Sequence, residues 1–322
     1  MFLTTLNQMA VLALFIAVGF IVKKLKLVPE NSAQTLSKLE NTVFIPALVL
    51  STFMNQFTVK TLSTAWKLLL FSLGAEIIII LVTVFVVKLA SKEDFIRKIC
   101  TYGLSFSNFG FMGNAVVEVL FPNHFMNYLI FVIPLWTLIY SWGVPVLLLD
   151  KNDVNVDETV KHAKLKATLK RFLNPMFVAL LIGAIIGVTG LGEILPKFMT
   201  SVAGTLGNCM SPIAMIISGM IFATVDFKKV LSSFAVYYAT VLRLIVYPLV
   251  FGGIALLISK FIIPIPEYIY VCFICSLAMP LGLNTIVIPA AYGKDTSVPA
   301  GMALVSHLLS LVTIPLILML FL

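Results

Sequence analysis

The chain has 322 residues, of which 60% are hydrophobic and only 11% charged, and its mean hydropathy is +1.08. A soluble domain carries roughly 25% charged residues, so a water-covered surface is excluded and lipid covers most of this chain. The net charge of +8 does not indicate nucleic acid, because the basic residues sit in short loops between apolar runs and are explained by membrane topology.

Windows of about 20 apolar residues mark membrane-spanning helices. In chain order they fall near 3–22, 36–56, 66–89, 98–121, 125–149, 170–189, 199–223, 230–259, 268–291 and 298–321. No basic stretch precedes the first window; Lys23, Lys24 and Lys26 follow it, which does not fit a cleaved signal peptide. With ten spans, 17 Lys and Arg fall on one side and 4 on the other, with Arg243 inside a span. The richer side faces the cytoplasm by the positive-inside rule, so both termini point outward from a bacterial cytoplasmic membrane. The stretch 150–167 carries Asp150, Asp153, Asp157 and Glu158 among lysines and reads as a solvated cytoplasmic linker. Cys100, Cys209, Cys272 and Cys275 lie in or beside apolar runs, against a disulfide framework. The pair Cys272 and Cys275 lacks a second pair or nearby histidine to complete a metal site. No Walker-type or His-Glu-x-x-His motif occurs, so neither ATP hydrolysis nor zinc hydrolysis is expected, and the chain reads as no enzyme.

Two spans are interrupted. The fourth contains Ser-Asn-Phe-Gly-Phe-Met-Gly-Asn from Ser107 to Asn114, and the ninth contains Met-Pro-Leu-Gly-Leu-Asn from Met279 to Asn284. Asn114 and Asn284 stand 170 residues apart; Pro29 and Pro196 stand 167 apart, Pro46 and Pro212 166 apart, and Pro145 and Pro315 170 apart. Asn7 and Asn174 are also 167 apart. Such a steady offset indicates duplication. Five spans per half make the second half enter from the opposite side, an inverted repeat of the kind used for alternating access. The expected fold is therefore an all-α polytopic membrane protein of ten helices in two inverted five-helix repeats.

The motifs Ser107-Asn-Phe-Gly-Phe-Met-Gly113 and Met279-Pro-Leu-Gly-Leu-Asn284 resemble those of the auxin efflux carrier family, whose bacterial members include malate and malonate permeases. The stretch Ala290-Ala-Tyr-Gly-Lys-Asp295 and a last span with Ser306, Ser310 and Pro315 extend the resemblance over the whole chain. It implies a fold like that of bile-acid and sodium/proton carriers, with helices 4 and 9 broken and crossed at the bilayer centre. It further implies a scaffold from 1–57 and 168–225, a transport bundle from 58–149 and 226–322, and a homodimer paired through the scaffold. Plant carriers place proline at both crossovers; here Gly110 and Gly113 occupy one, Pro280 and Gly282 the other. Auxin itself is therefore not supported as substrate.

The residues at the breaks suit a small organic anion such as a mono- or dicarboxylate. Half-helix N-termini offer free N–H groups and partial positive charge. Asn108, Asn114 and Asn284 add neutral donors and acceptors, for substrate or for the freed backbone. Ionisable groups in a span are functional candidates. Arg243 suits a carboxylate or a structural pairing, with Glu76 at the matching point 167 residues earlier. Glu118, four residues after Asn114 and on its face, Glu76 and His307 are candidates for coupling to Na+ or H+. No resident cofactor is expected. An uncoupled channel of the same fold and a membrane sensor are the alternative readings.

Overall fold

In lipid each backbone N–H and C=O has to be satisfied within its own segment or by buried protein, and the apolar runs accordingly fold as helices. The computed structural model describes residues 2–148, 175–225, 233–291 and 296–322. The linker expected at 150–167, Asn174 and Lys294 lie outside these residues. Among the described residues the protein is helical, with one isolated backbone bridge and no strand.

The first helix, α1, is Phe2–Lys24. The window at 36–56 is helical but starts earlier and has three parts: α2 (Ser32–Leu39), a wide π turn at Glu40–Phe44, and α3 (Ile45–Gln56). Pro46 has no N–H to return to the turn before it, and the widened turn absorbs the missing bond. The same pairing recurs at Leu242–Val246 ahead of Pro248, between α12 (Phe234–Val241) and α13 (Tyr247–Phe261). Helix α4 (Val59–Val86) begins at a capping box in which Thr58 and Thr61 bond each other's backbone N–H.

Next come α5 (Asp94–Ser105), a π turn at Phe109–Gly113 leading into α6 (Asn114–Leu120), then α7 (Phe125–Phe131) and α8 (Ile133–Leu138). Asp94 opens α5 and is bonded by Lys98 at 2.9 Å and Arg97 at 3.3 Å. The Lys98 contact above all holds its carboxyl below the usual carboxylate range. The second half supplies α9 (Pro175–Thr189), α10 (Lys197–Asn208), α11 (Met210–Phe222), α14 (Glu267–Ala278), α15 (Asn284–Ala291) and α16 (Ser297–Phe321). Among the described residues six helical segments are long and apolar enough to cross a membrane, including Leu3–Lys24, Val59–Leu89 and Ser297–Phe321. Their outer faces carry exposed Leu81, Phe85 and Phe261, and the shorter apolar helix α9 carries Leu181 and Ile185, ordinary for side chains that face lipid.

Two packing groups stand out. Helix α1 lies along α11, while α3 lies along α9 and α10. A Cβ on Gly19 would meet the Ile216 carbonyl, and one on Gly219 would meet the Ile16 carbonyl. Only glycine lets these two backbones come so close, the usual solution where lipid supplies no hydrophobic drive. The second group joins α4, α5, α7, α8 and α12 to α16. The groups touch where α1 meets α6 and α16, where α11 meets the Phe109–Gly113 turn, and where α3 meets α7.

Candidate functional site

The two sequence breaks meet. After α5 the chain is extended at Phe106, and after α14 it is extended at Met279. Ser107 and Leu281 pair as an antiparallel bridge. The Asn108 N–H donates to the Pro280 carbonyl at 2.8 Å, and the Ser107 hydroxyl donates to the Ser276 carbonyl at 3.0 Å. Each break thereby satisfies backbone groups of the other, as buried backbone requires. A Cβ on Gly282 would stand 2.9 Å from the Phe106 carbonyl, so glycine here permits the crossing itself.

Gly110 and Gly113 serve a different purpose from the conformational freedom a broken helix suggests. Gly113 has φ −62° and ψ −44°, ordinary right-handed values. A Cβ on Gly110 would lie 2.6 Å from the Trp136 ring, and one on Gly113 would strike the Tyr128 hydroxyl. These glycines make room for aromatic side chains of α7 and α8 packed onto the turn. Tyr128 donates to the Phe109 carbonyl at 3.2 Å and so holds the turn from that side.

The crossing brings together four helix ends. Helices α5 and α14 end there, while the Phe109–Leu120 segment and α15 begin there. Arg243 sits behind the C-terminal pair. Its Nε donates to the Met279 carbonyl at 3.0 Å, Nη1 to Leu104 at 2.9 Å and Nη2 to Ser276 at 2.9 Å. One buried guanidinium (2% exposed) thus caps both chains where their helical ladders stop, and its charge lies at the negative ends of both. Glu76 shares a small cavity with Arg243 but forms no direct ion pair or hydrogen bond with it; its Oε1 has no hydrogen-bond partner.

On the first break Asn108 is the most connected residue. Its carbonyl accepts from the N–H groups of Met112 and Gly113, and its side-chain nitrogen lies 2.8 Å from Nε2 of His307. Nδ1 of His307 lies 2.7 Å from the Ala303 carbonyl, which can only accept. Nδ1 therefore carries the proton and Nε2 accepts from Asn108, so His307 is the neutral imidazole here. The ring also meets Phe222 of α11 edge-on, with centroids 5.5 Å apart. Asn284 donates to the Tyr102 hydroxyl at 3.1 Å. Asn114 is 4% exposed and its Oδ1 has no partner.

Two cavities flank the crossing along the line between the packing groups. One, of about 350 Å³, is lined by Lys23, Glu30, Asn31, Gln34, Ser37, Thr224, Ile286 and Thr296. The other, of about 210 Å³, is lined by Ser51, Thr52, Asn55, Gln56, Glu118 and Asn208. Ser37 and Ser51 stand roughly 20 Å apart along their helical stretch, so the cavities lie at opposite ends. Helix α15 leads from the crossing to the first through Ile286, and α6 leads to the second through Glu118. Buried Met112, Phe222 and His307 pack the space at the level of the crossing.

The sequence-expected residues Asn108, Gly110, Gly113, Asn114, Pro280, Gly282, Asn284, Arg243 and His307 converge at the crossing. Glu118 is one cavity away and Glu76 stands behind Arg243. Two participants escaped the sequence reading, Ser107 and Ser276, which tie the breaks together; away from the crossing, so did Glu40. Glu40 is fully buried in the π turn of the second window with neither carboxyl oxygen partnered. A charge inside an apolar run is the signal that marks it.

Residues 4–318 match the model of a family described as membrane transport protein. No curated protein matches the chain.

Proposed function

The chain belongs to the auxin efflux carrier family of membrane transport proteins, and from that premise we propose that it is a secondary carrier of small organic anions. One observation supports this reading above the others: two helix N-termini face a crossing whose C-terminal ends Arg243 has already neutralised. The remaining partial positive charge and free N–H groups suit a carboxylate, with Asn114 and Asn284 as the side chains that orient it. Arg243, with Nε, Nη1 and Nη2 on carbonyls, is a clamp on the crossing in this reading and acts on the substrate through the backbone.

Ten spans in two inverted five-helix repeats, with both termini outside a bacterial plasma membrane, complete the reading. The scaffold is 1–57 with 168–225, the moving bundle 58–149 with 226–322, and a homodimer forms through the scaffold. Two separate cavities with packed side chains between them favour alternating access over an open channel. The cavity with Lys23 is the cytoplasmic mouth and that with Glu118 the outer one.

Counterflow of labelled malate, malonate and pyruvate in proteoliposomes tests the reading. Saturable exchange of at least one acid is expected, and Asn114→Ala is expected to raise its KM about tenfold, the loss of one charge-assisted hydrogen bond. Absence of exchange for all three acids by a folded protein counts against a carboxylate carrier.

A further inference from the structure

Two helix C-termini each carry roughly half a negative charge. At this crossing both end on Arg243, whose single positive charge meets them through the carbonyls of Leu104, Ser276 and Met279. The guanidinium therefore has its counter-charge without any carboxylate. Glu76 is left over: 4% exposed, beside Arg243, yet not paired with it.

Its surroundings are built for a group that gains and loses a proton. Glu76, Ser105 and Arg243 line one enclosed space of about 10 Å³, close to the minimum that admits a water molecule. Glu76 Oε1 and Ser105 Oγ both lack partners there, while Ser72 Oγ is occupied with the Phe131 carbonyl. Among the described residues Arg243 is the titratable side chain that lines this space with Glu76; Tyr247 of α13 interacts with both, and Tyr128 of α7 with Arg243. Of these Arg243 alone carries charge; α5 contributes Ser105 and α8 the apolar Leu135.

We propose that Glu76 is the binding site of a coupling proton, filled when a carboxylate docks at the crossing and emptied when it leaves. The inference rests on the anion-carrier reading above. An ionised Glu76 adds an unmatched negative charge behind the crossing and opposes an incoming anion. One proton from solution, forming an O–H bond at the Glu76 carboxyl, removes that opposition; the proton returns to solution on release. Protonation and anion docking then favour each other by the same factor, as linkage requires. The other candidates are less suited. Nε2 of His307 already accepts from Asn108, and a proton there would face a second donor. Glu118 lines the outer cavity, away from the charge-matched helix ends.

The test uses the full chain in nanodiscs, with malonate as probe. Infrared spectra of the substrate-free protein are recorded from mildly acid to mildly alkaline buffer, with the Glu76 carboxyl band assigned by its loss in Glu76→Gln. The band is expected to titrate and to gain intensity on adding malonate, with proton uptake from a weakly buffered solution. Malonate affinity is expected to fall about tenfold per pH unit on the alkaline side. In Glu76→Gln it should stay at its acid-side value at every pH. A band that is fixed across this range, or an unchanged pH slope in Glu76→Gln, overturns the proton site while anion binding still stands. A titrating band with no binding of malonate, malate or pyruvate leaves the proton site and sinks the anion reading.

Discussion

The two breaks that form the crossing are held by different means. The first, around Ser107–Asn108, is a network: Asn108 bonds Pro280, Met112, Gly113 and His307, while Trp136 and Tyr128 press on the glycines beside it. The second, Met279–Leu283, has fewer side-chain bonds, among them the Thr285 hydroxyl donating to the Gly282 carbonyl at 2.7 Å. It is shaped by Pro280, and Arg243 grips it at Met279 and Ser276. A network transmits a change in any member, whereas a proline bend held from behind is passive. The first break, whose partner His307 also meets Phe222 of α11, thus lies where the two packing groups touch.

Removing the shared clamp should hurt both breaks most. Arg243→Met leaves the buried carbonyls of Leu104 and Met279 without the donor they have here and that of Ser276 with Ser107 alone, and is expected to cost about 3–5 kcal/mol in thermal unfolding of the detergent-solubilised protein. Arg243→Lys, a point charge in place of a fork, should recover only part of this. Equal stability of Arg243→Met and the parent would show that the crossing holds without the clamp.

The glycine packing at the first break comes next. Gly113→Ala is expected to cost about 1–3 kcal/mol through overpacking against the Tyr128 hydroxyl. Tyr128→Phe in the same chain should restore much of it, because the clash is with the hydroxyl oxygen. Simple additivity of the two losses would remove the steric explanation.

The asymmetry itself is sharpened by His307→Phe and Pro280→Ala. The first leaves the Asn108 amide nitrogen without its acceptor and is expected to cost about 1–2 kcal/mol and to slow transport. The second keeps the Pro280 carbonyl that Asn108 needs, and Met279 is already extended as a residue before proline prefers. It should cost under about 1 kcal/mol. The reverse order in paired unfolding and uptake measurements would place the sensitive break on the other side.

Much of the candidate site is legible along the chain because membranes penalise exceptions. Gly, Pro and Asn inside apolar runs flag places where the helical ladder stops, and Asn114 and Asn284 mark both. The function of Gly110 and Gly113 is not legible, since φ/ψ freedom and steric clearance predict the same residue. The helix boundaries at 32 and 59, earlier than the hydropathy windows, arise from polar first turns that the windows do not weigh. Glu40 shows the opposite case: its oddity is visible in sequence, but its complete lack of partners is a property of the packed structure.

Composition and the length of the apolar runs determined that this chain lives in lipid as helices, because only helices and closed barrels satisfy their backbone there and runs of about 20 apolar residues suit the helix. The two breaks were likewise written in residue types, and their steady offset pointed to a common site. What Arg243 does could only be decided in three dimensions. A spacing of 167 residues from Glu76 does not say whether the two side chains meet, and the guanidinium turns to three carbonyls. The reason is that helix ends are charges without side chains. They appear only when the fold brings them together, and once matched to Arg243 they leave Glu76 unpaired.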